Sequence, residues 1–319
     1  MSFFNFSSNI VYSSSKLPLT LMTLEDWSFI TVEGQDSKKY LQDQLTIDIL
    51  QLKKKHYTLC AHCNFNGKVW STMYLFHYKK YYAYIERASV ADKQIKELQK
   101  YSIFSSVTIK KKNNICLLGL SGLNARVILS YYFKKIPNII YPISIENGTI
   151  ILWFNNPIER FLLVLSFDNA ILLKNKIEKY ALLNNSKQWL LLDIESGFPI
   201  IDHISSDKFF PQAINLDKLK AINFYKGCYY GQEIISRIYF KNLNKRYLCY
   251  LIGKGNISPK IGSLIEVKIE KKWYRIGILI AFVCVNINEI WIQVVLDRFI
   301  CQNSLFRIDS FKNIFFIKN

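Results

Sequence analysis

Short stretches of alternating apolar and polar residues, broken by stretches of helical spacing, run through the first two thirds of the chain. Ser28–Val32 reads as a strand ending at Glu33-Gly34, and Asp36 or Ser37 can cap a helix to about Leu45 with Tyr40, Leu41 and Leu45 on one face. Thr58–Phe65 and Val69–Phe76 flank Asn66-Gly67, a strong hairpin signal, and Tyr81–Ile85 follows as a further strand. Ser89-Val90-Ala91-Asp92 resembles a capping box that opens a helix to about Tyr101, with Ala91, Ile95 and Leu98 aligned. Val107–Ile109, Ile115–Leu118, Thr149–Phe154 and Phe161–Phe167 read as strands, with a helix near Asn124–Phe133 between them. Asp168 caps a long helix to about Leu183, and Ser186 starts another that Gly197 terminates. Strand, helix and strand mix throughout, which predicts α+β layers rather than a regular doubly wound sheet.

After Tyr239 the texture changes. Arg246–Ile252, Ser263–Ile269, Trp273–Val285 and Ile290–Leu296 are β-rich segments with polar turns at Gly253–Asn256, Glu270–Lys272 and Asn286–Glu289. Strands at this spacing predict a small antiparallel barrel. The domain boundary is therefore set near residue 240, with a mixed body over 1–240 and a barrel over 241–319.

The 319 residues are 50% hydrophobic, enough for large cores. The longest clean apolar run, Ile276–Val285, falls well short of the roughly 20 residues a spanning helix needs. Met1–Lys16 lacks the basic-then-apolar pattern of a signal peptide. No internal repeat, P-loop or dinucleotide fingerprint is present. Seven scattered cysteines fit reduced thiols, and the expectation is a cytoplasmic protein. The formal charge of +18 favours polyanion partners. Lys outnumbers Arg 34 to 8, and Ile, Asn, Tyr and Phe are abundant, the set that AT-rich codons supply. The charge is accordingly weak support for RNA contact.

The stretch with most chemistry is Lys226-Gly227-Cys228-Tyr229-Tyr230-Gly231-Gln232-Glu233. Both glycines read as backbone punctuation. Gln232–Tyr239 suits a short helix, with Glu233 and Arg237 in the favourable acid-before-base order. Cys228 then lies ahead of a helix N-terminus and two residues from Lys226, features that favour thiolate. A tight turn holding an inert Cys is the other reading, and these residues leave both open. Cys60-Ala61-His62-Cys63 resembles half a zinc site, but the second ligand pair is missing and a strand would point the two thiols to opposite faces. No metal is expected. Trp27 sits where loop gives way to strand. Trp189 lies off the Leu190, Leu191 and Ile194 stripe of its helix, which turns it toward an adjoining surface and a cleft.

The octapeptide resembles the signature of the YgfZ family, folate-binding, tRNA-modifying proteins related in fold to the glycine-cleavage T-protein. Leu17–Trp27, the Asp36–Asp48 stretch, Ala61-His62-Cys63 with Gly67-Lys68, Leu183-Asn184-Asn185-Ser186-x-Gln188-Trp189 and Gly197-Phe198-Pro199 resemble the enterobacterial type as well. The resemblance implies two interleaved α+β domains and a C-terminal barrel around a central opening. It implies folate binding, as tetrahydrofolate or a derivative, by Trp27 and Trp189, whose indole faces would stack on the pterin or aminobenzoate ring. It makes Cys228 the candidate functional thiol, its role unassigned. The implied function is accessory: a cytoplasmic, monomeric factor for tRNA modification and iron–sulfur protein maintenance, with tRNA or iron–sulfur tRNA-modifying enzymes as partners. An isolated Cys cannot hold a cluster alone. Two alternatives stand beside it. One is a folate-dependent one-carbon transferase, which needs a positioned acid or base; Asp26 adjoins Trp27 and Asp193 lies one helical turn past Trp189, but neither stands in a pattern that matches that enzyme's active site. The other is a basic RNA-binding protein driven by charge.

Overall fold

The computed structural model describes residues 5–255, 257–285, 288–297, 304–309 and 311–317. The turns expected at Gly253–Asn256 and Asn286–Glu289 lie partly outside them. The chain divides into two compact units: Met1–Leu41, Ile49–Thr58 and Met73–Leu192 form one, and Gln42–Asp48, Leu59–Thr72 and Asp193–Asn319 form the other.

The first unit is built on a six-stranded sheet. Its strands, in spatial order, are Leu182–Asn184, Thr20–Thr23, Ile115–Ser121, Arg160–Ser166, Thr149–Phe154 and Ile143–Glu146. Only the Thr20–Thr23 and Leu182–Asn184 pair is parallel; the other pairs are antiparallel. Leu21, Leu118, Ile151, Phe161 and Leu163 bury against Leu129 and Leu173 of the helices Ala125–Ser130 and Phe167–Ile177. A five-stranded sheet, ordered Tyr57–Cys63, Val69–Tyr78, Tyr81–Arg87, Trp27–Glu33 and Thr108–Lys111, carries the Asn66-Gly67 hairpin at one edge. The helix Ala88–Gln99 buries Ala91, Ile95 and Leu98, the stripe its spacing predicts. It begins without the Ser89 capping box: Arg87 stands at the N-cap and offers no side-chain bond.

Two further expectations change. Ser166, not Asp168, caps the helix after Arg160–Ser166, accepting from the Asn169 amide at 3.4 Å. That helix ends at Ile177, and its expected tail instead forms the Leu182–Asn184 strand. Local periodicity missed this strand because its partner, Thr20–Thr23, lies about 160 residues upstream.

The second unit contains a closed six-stranded barrel, in the order Tyr247–Lys254, Glu289–Leu296, Lys272–Val285, Leu264–Ile269, Phe306–Ile308 and Phe315–Ile317. Register shifts at Ile265/Glu266 and Leu279/Ala281 bend the strands so that the sheet can close. Leu251, Ile265, Leu279, Ile292, Phe306 and Phe315 fill the interior. A second core in this unit joins Ala61, Cys63, Ile214, Tyr229, Ile235 and Ile280. The α+β class with a closed C-terminal antiparallel barrel is thus the observed fold.

Candidate functional site

The octapeptide folds as a loop leading into the helix Gln232–Phe240, one residue longer than its apolar pattern predicts. Gly231 is the helix N-cap, at φ +81°. A Cβ there would be driven into the Asn64 carbonyl oxygen and lie 3.2 Å from the Gly67 Cα, so only glycine lets the loop rest on the Asn64–Gly67 turn. Gly227 faces open space and takes no left-handed conformation. Gln232 ties the loop across itself: its Oε1 accepts from the Tyr229 amide at 3.2 Å, and its Nε2 donates to the Lys226 carbonyl at 3.4 Å.

Lys226 turns inward. Its ammonium donates to the carbonyls of Gln42, Leu45 and Ile47, the last two at 2.8 Å, and lies 4.9 Å from the Tyr229 ring centre. Burial pulls its pKa down to about 8, against the raising influence of Asp48. The Tyr230 amide donates to the Asp43 carbonyl at 2.9 Å, and the Asn223 amide to Thr46 at 2.7 Å. The Lys226 side chain is therefore a clamp on residues 42–48, with three carbonyls before it, rather than a charge held for Cys228. Cys228 itself is exposed at the loop surface. Tyr229 is buried in the core, where desolvation pushes its phenol pKa up.

His62 and Cys63 both lie on the strand Tyr57–Cys63. Both are buried; desolvation draws the His62 imidazole down to about 3 and pushes the Cys63 thiol up. Among the described residues, no group of three or more His, Cys, Asp or Glu side chains is placed to hold a metal ion.

The first unit gathers both tryptophans around one junction. Glu25 accepts from the Ser186 amide at 3.2 Å and from its hydroxyl at 2.9 Å, an anion at the N-terminus of the helix Ser186–Glu195. The same hydroxyl lies 2.7 Å from the Asp26 carboxylate. Gln188 accepts from the Tyr12 amide and donates to the Tyr12 carbonyl, both at 2.8 Å, and Asn184 donates to the Ile10 carbonyl at 3.0 Å. The Asn184–Trp189 stretch thus holds both the Glu25–Trp27 segment and the chain entering from residue 9.

Trp27 opens its strand opposite Arg87, whose guanidinium lies 4.3 Å from the ring centre and 3.8 Å from Asp26. Trp189 is 1% exposed, not turned toward a surface. Its ring rests on Gly119, where a Cβ would come within 2.5 Å, and meets Phe154 edge-on at 5.9 Å and the Arg160 guanidinium at 4.5 Å. The face-based expectation fails because this helix is buried nearly all round, with only Lys187 exposed. Asp193 is likewise fully buried.

Arg87 and Arg160 are the site residues that sequence reasoning missed. A signal existed: in a chain with so few arginines, each is a place where lysine did not serve, and a planar guanidinium stacks on rings as an ammonium cannot. Arg307, over Trp273 at 4.5 Å, repeats the pairing.

The model of the YgfZ beta-barrel domain matches residues 244–310. The tRNA-modifying protein YgfZ of Buchnera aphidicola from Acyrthosiphon pisum is 60% identical over 98% of both chains. The proteins of that name from Yersinia enterocolitica and Escherichia coli are each 42% identical, over 95% and 96% of this chain and 92% and 94% of their own. Among solved structures, glycine cleavage system aminomethyltransferase T from Bartonella henselae superposes with a TM-score of 0.76, covering 96% of this chain and 86% of that one at 14% identity, a likeness of fold.

Proposed function

The chain belongs to the YgfZ family, and from that premise we propose that it is a folate-binding accessory factor in tRNA modification. The observation that carries the reading is 42–60% identity, over 95–98% of this chain, to proteins named for tRNA modification. We further propose that it works in the cytoplasm in support of iron–sulfur tRNA-modifying enzymes. No helix among the described residues is long and apolar enough to cross a membrane.

The residues at the Trp27 junction fit a folate. Asp26, with its side chain 46% exposed, offers a carboxylate to the paired N–H groups of a pterin, and Arg87, its side chain 8% exposed, backs that carboxylate at 3.8 Å. Trp27, 6% exposed with that guanidinium 4.3 Å from its ring centre, meets the ligand with the part of its ring left open. Trp189 has its faces covered by Gly119 and Arg160, so its part is positioning: it fixes the helix whose Ser186 orients Asp26. Bound tetrahydrofolate would supply a one-carbon carrier. Cys228, on an exposed loop, would meet a partner macromolecule.

Deleting the gene in a host without another copy and profiling tRNA nucleosides tests the function; unchanged methylthio modification would sink it. Titrating tetrahydrofolate against tryptophan fluorescence tests the site. Trp27→Ala and Asp26→Asn should weaken binding, and Cys228→Ala should bind normally yet fail to restore modification.

A further inference from the structure

The loop before Lys226 and the end of the Gln232–Phe240 helix carry an aromatic cluster that the function above leaves unused. Phe224 and Tyr239 stack with ring centres 3.9 Å apart and planes 17° from parallel. Phe240 stands edge-on to Tyr239 at 5.3 Å and against Phe224 at 6.1 Å. Phe224 is anchored on the buried core of this unit, so the cluster has a rigid floor. Phe240 is 62% exposed, and Tyr225, next along the chain from Phe224, is 86% exposed. Tyr225 is not a loose tip: Asn223 Oδ1 accepts from the Tyr225 amide at 2.8 Å and from the Lys226 amide at 3.0 Å, and the Lys226 ammonium is buried beneath.

Charge says what such a surface would receive. Between residues 218 and 246, exposed Lys218, Lys220, Arg237, Lys241, Lys245 and Arg246, the last paired with Asp297, flank these rings in sequence, against a single exposed acid, Glu233. Lys241 directly follows Phe240 and closes the helix, its amide donating to the Arg237 carbonyl. Flat rings held rigid in a stretch this basic match unpaired bases and their phosphates, because every base has a face to stack and every linkage an anion.

We propose that Tyr225, Tyr239 and Phe240, with Lys241 and Lys245, form a platform for unpaired bases of an RNA loop. The choice of RNA rests on the tRNA reading above; the platform itself rests on the ring geometry and the charge.

Anisotropy with a fluorescein-labelled RNA stem-loop, and with a blunt duplex of the same stem, tests it on the full chain. The wild type should bind the stem-loop about tenfold or more tighter than the duplex. Tyr225→Leu combined with Phe240→Leu should lose about tenfold on the stem-loop and nothing on the duplex, keeping the melting temperature and the salt slope. Lys241→Gln with Lys245→Gln should weaken both ligands and reduce the magnitude of the slope of log K against log salt by about 1–2. Equal stem-loop binding by the ring variant overturns the proposal. So does equal affinity for duplex, or a ring variant that loses anionic vesicles while keeping RNA. The two readings fail separately, since unchanged nucleosides after gene deletion would leave these binding results standing, and equal binding by the ring variant would leave the nucleoside result standing.

Discussion

Replacing Lys226 with Met keeps the aliphatic stem and removes the ammonium. The carbonyls of Gln42, Leu45 and Ile47 then lose a shared donor in a setting where water does not replace it. An orphaned buried acceptor costs about 1–3 kcal/mol, so three cost about 6 kcal/mol at the middle of that range. Against this stands the burial cost of the ammonium, which the substitution relieves. A fall from 10.5 to about 8, at about 1.36 kcal/mol per unit, makes that about 3 kcal/mol. The expected net loss is about 3 kcal/mol, and the damage is local. Urea unfolding reads the total, and hydrogen–deuterium exchange of a peptide covering 42–48 reads the locality. A loss of this size accelerates exchange there by roughly a hundredfold, because each factor of ten corresponds to about 1.4 kcal/mol. The alkylation rate of Cys228 is the discriminating control. Stability within about 0.5 kcal/mol of wild type with unchanged exchange would refute the clamp. If only the Cys228 rate moved, Lys226 would be a thiol-activating residue after all.

The two glycines of the octapeptide should separate. Gly231→Ala must take a left-handed backbone and push against Asn64, losing at least about 2 kcal/mol, whereas Gly227→Ala, with open space around it, stays within about 0.5 kcal/mol; equal losses by urea unfolding would remove the steric argument. His62 should set part of the acid limb. Its folded pKa, about 3, lies below the ordinary 6.5, so the unfolded chain binds the extra proton between those values and stability falls as pH drops from 6.5 toward 3. The slope from this group reaches about 1.4 kcal/mol per pH unit, and His62→Gln should flatten it; an identical pH slope in that variant would rule His62 out.

What could be read from the sequence was whatever is local. The Asn66-Gly67 hairpin, the Ala91–Leu98 stripe, the Gln232 helix and four barrel strands appear where pattern and turn chemistry put them. What escaped was set by distant partners. Thr20–Thr23 and Leu182–Asn184 are strands because they pair with each other, and Phe306–Ile308 and Phe315–Ile317 are too short to announce themselves but close the barrel. The site follows the same division. The octapeptide and the Asn184–Trp189 stretch were visible as motifs, but their roles depend on geometry. A lysine reads as surface charge until three carbonyls are found around it, and a tryptophan off the main stripe reads as exposed until its helix proves buried all round. The Trp27–Arg87 pair is a matter of cross-strand register, which no single segment encodes.

The Lys226 clamp also bears on how the chain is made. Residues 42–48 and 59–72 leave the ribosome early, yet the unit they join is completed by Asp193–Asn319. Lys226 stands 179 to 184 residues beyond the carbonyls it serves. During synthesis those two short segments have each other and the strands up to Arg87 as partners before Asp193–Asn319, which completes their unit, has been made. Contacts of such long range form slowly. The Cys63 thiol is buried in the finished protein in a core with Phe209, Ile214, Tyr229 and Ile235, all from the late segment. Pulse labelling of Cys63 on stalled chains that end before residue 226 should find it reactive, and on released chains closed.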